Sequence, residues 1–223
     1  MRYEIQWELI GKELEKFLDF ASKISDEFSV ARYFNGVIPD EVLKSVHDEY
    51  KDMLIQGDRN RRKAFSENME YRQRICEFTG SVEAAEEYFD QLYQQDMEGL
   101  EEGLEEFFIP AEGDRSFETQ RPFETEREDF LKSRFTRATL VTSGALFEVC
   151  YFRMGKTWNE VRNQLTDLFQ YPIKIDETSF ENPAFYRDGE AKIMVCSHDE
   201  VCTLDLTAQE AEEFKKLGIE FEC

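Results

Sequence analysis

The sequence contains few of the residues on which most catalytic sites depend. Only two of its 223 residues are histidines, and neither His47 nor His198 accompanies a GxSxG or comparable nucleophile motif. Paired carboxylates are uninformative because 49 residues are acidic, so that spacing alone selects no acid–base pair. We therefore expect a protein without a cofactor, and a binding function rather than an enzymatic one, although an enzyme stays open as an alternative.

Long apolar runs and a secretion signal are also missing. No run approaches the roughly 20 apolar residues that a membrane-spanning helix needs. The first residues, MRYEIQWELIGKELEK, lack the charged-then-apolar pattern of a signal peptide. The five cysteines are odd in number and widely spaced, which favours reduced thiols. We therefore expect a cytoplasmic protein that has no contact with a membrane.

Basic residues are scarce relative to acidic ones. The chain has 27 Lys and Arg against 49 Asp and Glu, a formal net charge of −22. Nucleic acids are bound by neutralising phosphates with Lys and Arg, so direct nucleic-acid binding is not expected. A basic protein partner is favoured instead. The 41% of hydrophobic residues, with 14% aromatic, is sufficient for a core.

The scarcity is extreme between Ile75 and Asp114, where 13 carboxylates occur without a single Lys or Arg. The apolar residues of this segment recur at helical spacing, and Gly80 with Ser81 predicts the turn of a helical hairpin. Carboxylates four residues apart on a helix repel one another by about 0.2–0.5 kcal/mol per pair. A positive charge is therefore expected nearby.

The other arm of the same hairpin is one source of positive charge. If the helices run antiparallel about Gly80, the basic residues Arg59, Arg61, Arg62 and Lys63 face the part of the acidic arm near Met97–Glu101. In this interpretation the acidic run is neutralised internally. The sequence does not decide how much acidic surface is left over.

The alternative is an acidic surface that occupies a basic cleft of a partner by charge steering and aromatic anchoring. Immunity proteins, antitoxins and DNA-mimicking inhibitors of nucleases or phage-defence enzymes have this chemistry. A scaffold that recognises partners through a sheet edge, with acidity serving only solubility, is the second hypothesis. The predicted partner-binding residues are Glu98, Glu101, Glu102, Glu105, Glu106, Phe107 and Phe108.

The predicted fold class is α+β, with three regions along the chain. Residues 1–110 are expected to be mainly helical and to contain the acidic hairpin, 111–134 to form an acidic linker or loop, and 135–223 to form an antiparallel sheet. The last region reads as two ββαβ pseudo-repeats. Residues Glu148–Cys150 before TWNE match Glu200–Cys202 before TAQE, and both tetrapeptides have the capping-box pattern.

Individual helices and strands are predicted from the spacing of apolar residues and from residues that start or end helices. A short strand is expected near the N-terminus, followed by helices after Gly11, from Pro39 to Gly57, and over Arg61–Phe78. In the C-terminal region, strands are expected at ATLVT, LFEVCYFRM, PIKID, AKIMV, VCTLDL and IEFEC.

One local cluster has metal-ligand residue types. A hairpin loop at His198 would place Cys196 opposite Cys202, close enough for shared zinc coordination. The alternating apolar residues after Cys202 favour core thiols instead, and a regulatory disulfide is a further possibility. We expect no metal, and keep Cys196, His198 and Cys202 as the ligands of an alternative enzyme or zinc protein.

Overall fold

The structure is a computed structural model that describes residues 1–100 and 120–222, together with the helical backbone of residues 101–108. The chain forms two compact units. One contains Met1–Gly36 and Gln120–Cys223, and the other contains Val37–Thr119. We call them the sheet unit and the helical unit. These bounds differ from the three regions expected from the sequence, because the first 36 residues belong with the C-terminal sheet.

The sheet unit is built on one antiparallel sheet with three helices. The strands are β1 Arg2–Ile5, β2 Glu27–Tyr33, β3 Phe130–Ala138, β4 Ser143–Arg153, β5 Ile173–Ile175, β6 Thr178–Arg187, β7 Glu190–Cys196 and β8 Val201–Asp205, and the helices are α1 Gly11–Ile24, α5 Lys156–Gln164 and α6 Ala208–Lys215. The strand order in the sheet is β1-β8-β7-β6-β2-β4-β3, with β5 paired to β6. The α+β class is therefore confirmed.

The helices and one face of the sheet share a core. Alternate residues of the strands, such as Phe28 on β2 and Phe152 on β4, pack with apolar residues of α1, α5 and α6. The two rings stack with their centroids 5.2 Å apart. The amphipathic periodicity predicted for α1 is confirmed, since its buried residues are Leu14, Phe17, Leu18, Phe20, Ala21 and Ile24.

The helical unit contains α2 Asp40–Glu67, α3 Met69–Thr79 and α4 Val82–Phe108. The prediction that Gly57 ends a helix was wrong, because α2 continues through it. Glycine costs a helix only about 1 kcal/mol relative to alanine, and ten further residues follow in the same helix. The break falls at Asn68, whose side chain accepts a hydrogen bond from the N–H of Tyr71 and caps α3. The prediction of a single helix over Arg61–Phe78 was also wrong, since this range contains the end of α2 and most of α3.

Three expectations for the C-terminal region need correction. The ATLVT run is the β3–β4 turn, closed by the N–H of Thr139 on the carbonyl of Thr142, and the strand before it starts at Phe130. TWNE forms no capping box, because Thr157 lies inside α5 after the N-cap Gly155. In IEFEC, the described residues contribute only the isolated bridge between Glu4 and Glu222. The TAQE capping box at the start of α6 is present.

The pseudo-repeat stays a prediction. Its first copy corresponds to β3, β4, α5 and β5, but the second has β7, β8 and α6 followed by the isolated bridge at Glu222. The strand between the copies, β6, and the central strand β2 were not predicted. No helix within residues 1–108 or 120–222 is long and apolar enough to cross a membrane.

Candidate functional site

The acidic helix α4 packs within the helical unit through one apolar side. Gly80 ends α3 in a left-handed conformation with φ 97°, and the Ser81 hydroxyl accepts a hydrogen bond from the N–H of Ala84 in the first turn of α4. Phe89 lies against Phe65 of α2, with the ring centroids 5.3 Å apart in an edge-to-face arrangement. The opposite side of α4 is therefore the side available to carry the acidic residues.

The basic arm of α2 binds aspartates rather than the glutamates of α4. Arg61 donates to Asp96 at 2.8 Å. Arg62 donates to Asp58 and to Asp90, each at 2.8 Å, and the pKa of its guanidinium is raised, chiefly by the hydrogen bond to Asp58. Two cations are thus committed to three aspartates.

The other two basic residues of this arm, Lys63 and Arg59, form no ion pair with a described glutamate of α4. Lys63 lies 3.9 Å from Glu67 on its own helix, and Arg59 forms no ion pair with any residue that the structure describes. Internal neutralisation by this arm therefore takes up part of the charge of the hairpin, mainly through aspartates.

Exposed polar residues form a continuous stripe along the outer side of α4. The positions are separated by four, seven and four residues, which places them on one face over about 22 Å of helix. Three of these positions carry carboxylates, those of Glu83, Glu87 and Glu98, and no Lys or Arg nitrogen of the described chain lies within 4 Å of them. We call this set the acidic stripe: Glu83, Glu87, Gln94 and Glu98.

Two residues of the acidic stripe have hydrogen-bonding partners on α4 or at its start. The backbone N–H of Glu83 and the Ser81 hydroxyl hold the pKa of the Glu83 carboxyl below its ordinary value. Gln94 donates to Glu98 at 2.8 Å. Glu98 therefore lies on the exposed face of α4, and its role as a partner contact stays a prediction. The other predicted contacts lie on α4, but their side chains are outside the described part of the chain: Glu101, Glu102, Glu105, Glu106, Phe107 and Phe108.

The metal-ligand candidates do not converge. In the β7–β8 ladder, Cys196 faces Val201 and Cys202 faces Val195. Since neighbouring residues of a strand point to opposite faces, the two thiols lie on opposite sides of the sheet. His198 instead lies 2.7 Å from Glu181. The described residues contain no group of three or more His, Cys, Asp or Glu that could hold a metal ion.

The cysteine thiols of the sheet are unreactive by environment. Burial raises the pKa of the Cys150 and Cys202 thiols well above the ordinary range, so both are protonated at neutral pH. Burial also raises the pKa of the Cys196 thiol, which donates to Asp199 at 3.3 Å. These are core thiols rather than nucleophiles.

A cavity of about 1190 Å³ in the sheet unit contains a group of ion pairs around Arg127, the Arg127 clasp, that the sequence did not reveal. Arg127 donates through Nε and Nη2 to Asp176 at 2.8–3.1 Å, and through Nη1 to Glu160 at 2.7 Å and Thr157 at 3.1 Å. Asp129 accepts from the backbone N–H and the hydroxyl of Thr157 at 2.7 and 2.6 Å.

The Arg127 clasp has a structural role rather than a ligand-binding one. All three guanidinium nitrogens of Arg127 are occupied, and these bonds raise its pKa and lower that of Asp176. The carboxylate of Asp129 occupies the N-terminal turn of α5, where the sequence predicted self-capping by Thr157. The clasp ties residues 125–129 to α5 and to the end of β5.

A buried ion pair on the sheet was also missed from the sequence, since its two residues, Arg32 and Glu148, are 116 positions apart. Glu148 of β4 is fully buried and accepts from Nε and Nη2 of Arg32 at 2.8 and 2.6 Å. It also accepts from the backbone N–H of Phe123 at 2.8 Å. Arg32 donates in addition to the carbonyl of Arg121. The pair therefore binds residues 121–123, which precede β3, to strands β2 and β4 of the sheet.

Comparison with known proteins adds no relative from which a function could be carried over. Set against protein-family models, curated proteins and solved structures, the chain matches none of them.

Proposed function

We propose that this protein is a cytosolic, non-enzymatic binding protein whose acidic stripe occupies a basic surface of a partner protein. The supporting observation is the mismatch in the helical unit between cations and exposed glutamates. The basic arm is committed mainly to aspartates, whereas Glu83, Glu87 and Glu98 have no cation within 4 Å in the described chain.

The charge of the whole helical unit supports the same proposal. Residues 37–119 contain nine Lys and Arg against 22 Asp and Glu, a formal charge of −13. Such a charge raises the rate at which a basic protein is encountered and suppresses acidic competitors. The partner is of the kind that binds polyanions: a nuclease, a toxin or a phage-defence enzyme. This chain would act as its immunity protein, antitoxin or DNA-mimicking inhibitor.

The carboxyl-terminal part of α4 extends the proposed surface. It carries Glu101, Glu102, Glu105 and Glu106, and then Phe107 and Phe108 as candidate aromatic anchors. Aromatic side chains carry much of the binding energy at interfaces whose rims are charged. The acidic stripe would then guide the encounter, and the aromatic residues would slow dissociation.

The test is capture of partners from lysate of the native host by three immobilised proteins. One is the natural chain, one carries Glu87→Lys with Glu98→Lys, and the control carries Glu15→Lys with Glu220→Lys, which changes the net charge equally on exposed residues of the sheet unit. We expect a basic protein, identified by mass spectrometry, on the natural and control chains only, released by moderate salt. Equal capture by both variants would refute the proposed site.

Pairing of a partner to the sheet edge is the second candidate, favoured by the position of β3 as the outermost strand at one of the two edges. Its nine residues could extend the sheet to an added strand. The register of β3 shifts at both ends, which weakens a continuous ladder. Salt separates the two candidates, since backbone pairing responds little to ionic strength whereas charge steering is screened beyond about 8–10 Å.

A further inference from the structure

The sheet unit contains a second cavity, of about 160 Å³, that none of the preceding functions uses. Its lining residues come from β2, β3, β4, β6 and β7 and from the β3–β4 turn. An engineered cavity of about 150 Å³ in the core of another protein holds a benzene molecule. The cavity of the sheet unit therefore has room for a small molecule that contains one ring.

The side chains at this cavity share one face of the sheet. Five of its lining residues are cross-strand neighbours in the β2–β4 and β2–β6 ladders: Ser29, Ala31, Val149, Tyr151 and Ala184. The residues next to them along the strands belong to the core formed with α1, α5 and α6: Phe28, Val30, Cys150, Phe152 and Phe185. Since successive residues of a strand point to opposite faces, the cavity lies on the face away from these helices. We call the buried residues Ala31, Val149 and Ala184 its apolar floor.

Arg134 of β3 brings positive charge to the same face. It lines the cavity and is the cross-strand neighbour of Val149 in the apolar floor. Among the residues that the structure describes, no Asp or Glu lines the cavity, although acidic residues outnumber basic ones by 49 to 27 in the chain. Glu181 lies on the same face outside the cavity, and its carboxylate is 2.7 Å from His198. The charge at the cavity therefore favours an anion over a cation.

Three hydroxyl groups lie beside the apolar floor. The hydroxyls of Ser29 and Tyr186 are 3.0 Å apart, and the ring of Tyr151 lies 5.8 Å from the ring of Tyr186. Burial raises the pKa of Tyr186 to about 12, and the positive charge of Arg134 opposes this rise, so the guanidinium is near the hydroxyl group. A hydrogen bond between two hydroxyls uses one of their two hydrogens, and hydroxyl hydrogens rotate to suit an acceptor. The hydroxyls can therefore donate a hydrogen bond to a ligand oxygen.

We propose that this cavity binds a small aromatic monocarboxylate of the size of benzoate, with its ring on the apolar floor and its carboxylate beside Arg134 and the tyrosine hydroxyls. Hydrogen bonds from guanidinium and hydroxyl groups to a carboxylate are strong because the acceptor is charged. The single negative charge of the ligand matches the single cation among the described lining residues. The site is independent of the acidic stripe, because every lining residue belongs to the sheet unit.

The test is titration of the full chain with benzoate at neutral pH, followed by nuclear magnetic resonance. Benzamide has the same ring without the charge, and acetate has the charge without the ring. We expect saturable binding of benzoate in the millimolar range or tighter. Each of the other two compounds should bind at least about tenfold more weakly, because one loses the charged acceptor and the other loses the apolar area to bury. Absence of saturable benzoate binding, or benzamide that binds as tightly as benzoate, would overturn the proposal.

Two variants of exposed residues locate the carboxylate. Arg134→Gln removes the cation of the cavity, and Arg153→Gln is the matched control, since it makes the same change of charge on β4 without lining the cavity. We expect Arg134→Gln to weaken benzoate binding by at least about tenfold and to leave benzamide binding unchanged, whereas Arg153→Gln preserves both. Equal benzoate affinity in the natural chain and in Arg134→Gln would refute the assignment.

The position of the ring is measured separately, in the natural chain. In the benzoate complex we expect nuclear Overhauser effects from the ring hydrogens to the methyl groups of the apolar floor, those of Ala31, Val149 and Ala184. Contacts of the ring with methyl groups outside the cavity only would place the ligand elsewhere and overturn the proposal.

Discussion

Replacing Glu148 by glutamine should destabilise the sheet unit by about 3–5 kcal/mol. The carboxylate is fully buried and is the only counter-charge that the described chain provides within 4 Å of Arg32, whose side chain is 11% exposed. Glutamine keeps one oxygen for the N–H of Phe123 but turns the charged acceptor into a neutral amide. Removing one partner of a buried ion pair has this cost because the other charge stays desolvated.

The assay is equilibrium unfolding in urea, monitored by tryptophan fluorescence. Both tryptophans belong to the sheet unit, and Trp158 is 3% exposed beside Phe28 and Phe185. The fluorescence transition therefore reports this unit. Glu190→Gln is the control: it breaks an ion pair with Lys192 at an exposed carboxylate, and we expect a change below about 1 kcal/mol.

A double variant tests the cause. Arg32→Met with Glu148→Leu removes both charges, and replacing a buried pair by apolar residues is often neutral or stabilising. We expect the double variant to be more stable than Glu148→Gln alone. A loss below about 1 kcal/mol for Glu148→Gln, or a double variant less stable than that single one, would refute the reasoning. If Glu148→Gln fails to fold, a folded double variant carries the same conclusion.

Three further predictions concern other parts of the chain. Hydrogen bonds from Arg127 lower the pKa of Asp176 in the folded protein. The pair therefore stabilises the fold above the unfolded-state pKa of about 4, and this contribution is lost as the pH falls through the lower folded pKa. Asp176→Asn should make the free energy of unfolding, measured in urea, depend less on pH in this acidic range. Thr207→Ala removes the capping box of α6 and should cost about 1 kcal/mol in thermal unfolding, whereas an unchanged midpoint would contradict the cap. Phe89→Ala opens the core of the helical unit beside Phe65 and should cost about 3–5 kcal/mol, seen as an earlier loss of helical circular dichroism; a cost below about 1 kcal/mol would mean that this core is not packed as described.

Elements with complete local signals could be predicted from the sequence. Helix α1 follows from its apolar periodicity, α6 from Thr207 and Glu210, and the start of α4 from Gly80 and Ser81. In each case the residues that specify the element are within a few positions of one another. No distant partner has to be known for such a signal to be read.

The central strands could not be predicted in this way. Buried polar residues interrupt the apolar pattern of β2 at Ser29 and of β6 at Glu181 and Asn182. Their stability comes from neighbours elsewhere in the chain, as in the 3.0 Å contact between the hydroxyls of Ser29 and Tyr186. A pattern read locally gives such segments no preference for a strand.

The candidate sites show the same division. The acidic run was visible as composition, but only the structure shows that Arg61 and Arg62 bind aspartates and leave the glutamates of the stripe exposed. The pair of Arg32 and Glu148 spans 116 residues, and neither residue has a distinctive neighbour in the sequence. Spacing carries no information about contacts of this kind.

The junction between the units accounts for the difference between the regions expected from the sequence and the two units of the structure. The chain leaves the sheet unit at Gly36 and returns at Gln120, and these two residues form a parallel bridge. A β-carbon on Gly36 would lie 2.2 Å from the carbonyl oxygen of Gln120, so only glycine permits this approach. The residues of the helical unit are therefore inserted in the sequence between β2 and β3. The sheet pairs strands that come before the inserted residues with strands that come after them. The sequence was divided into consecutive regions, and that division groups β1, α1 and β2 with the helices that follow them in the chain.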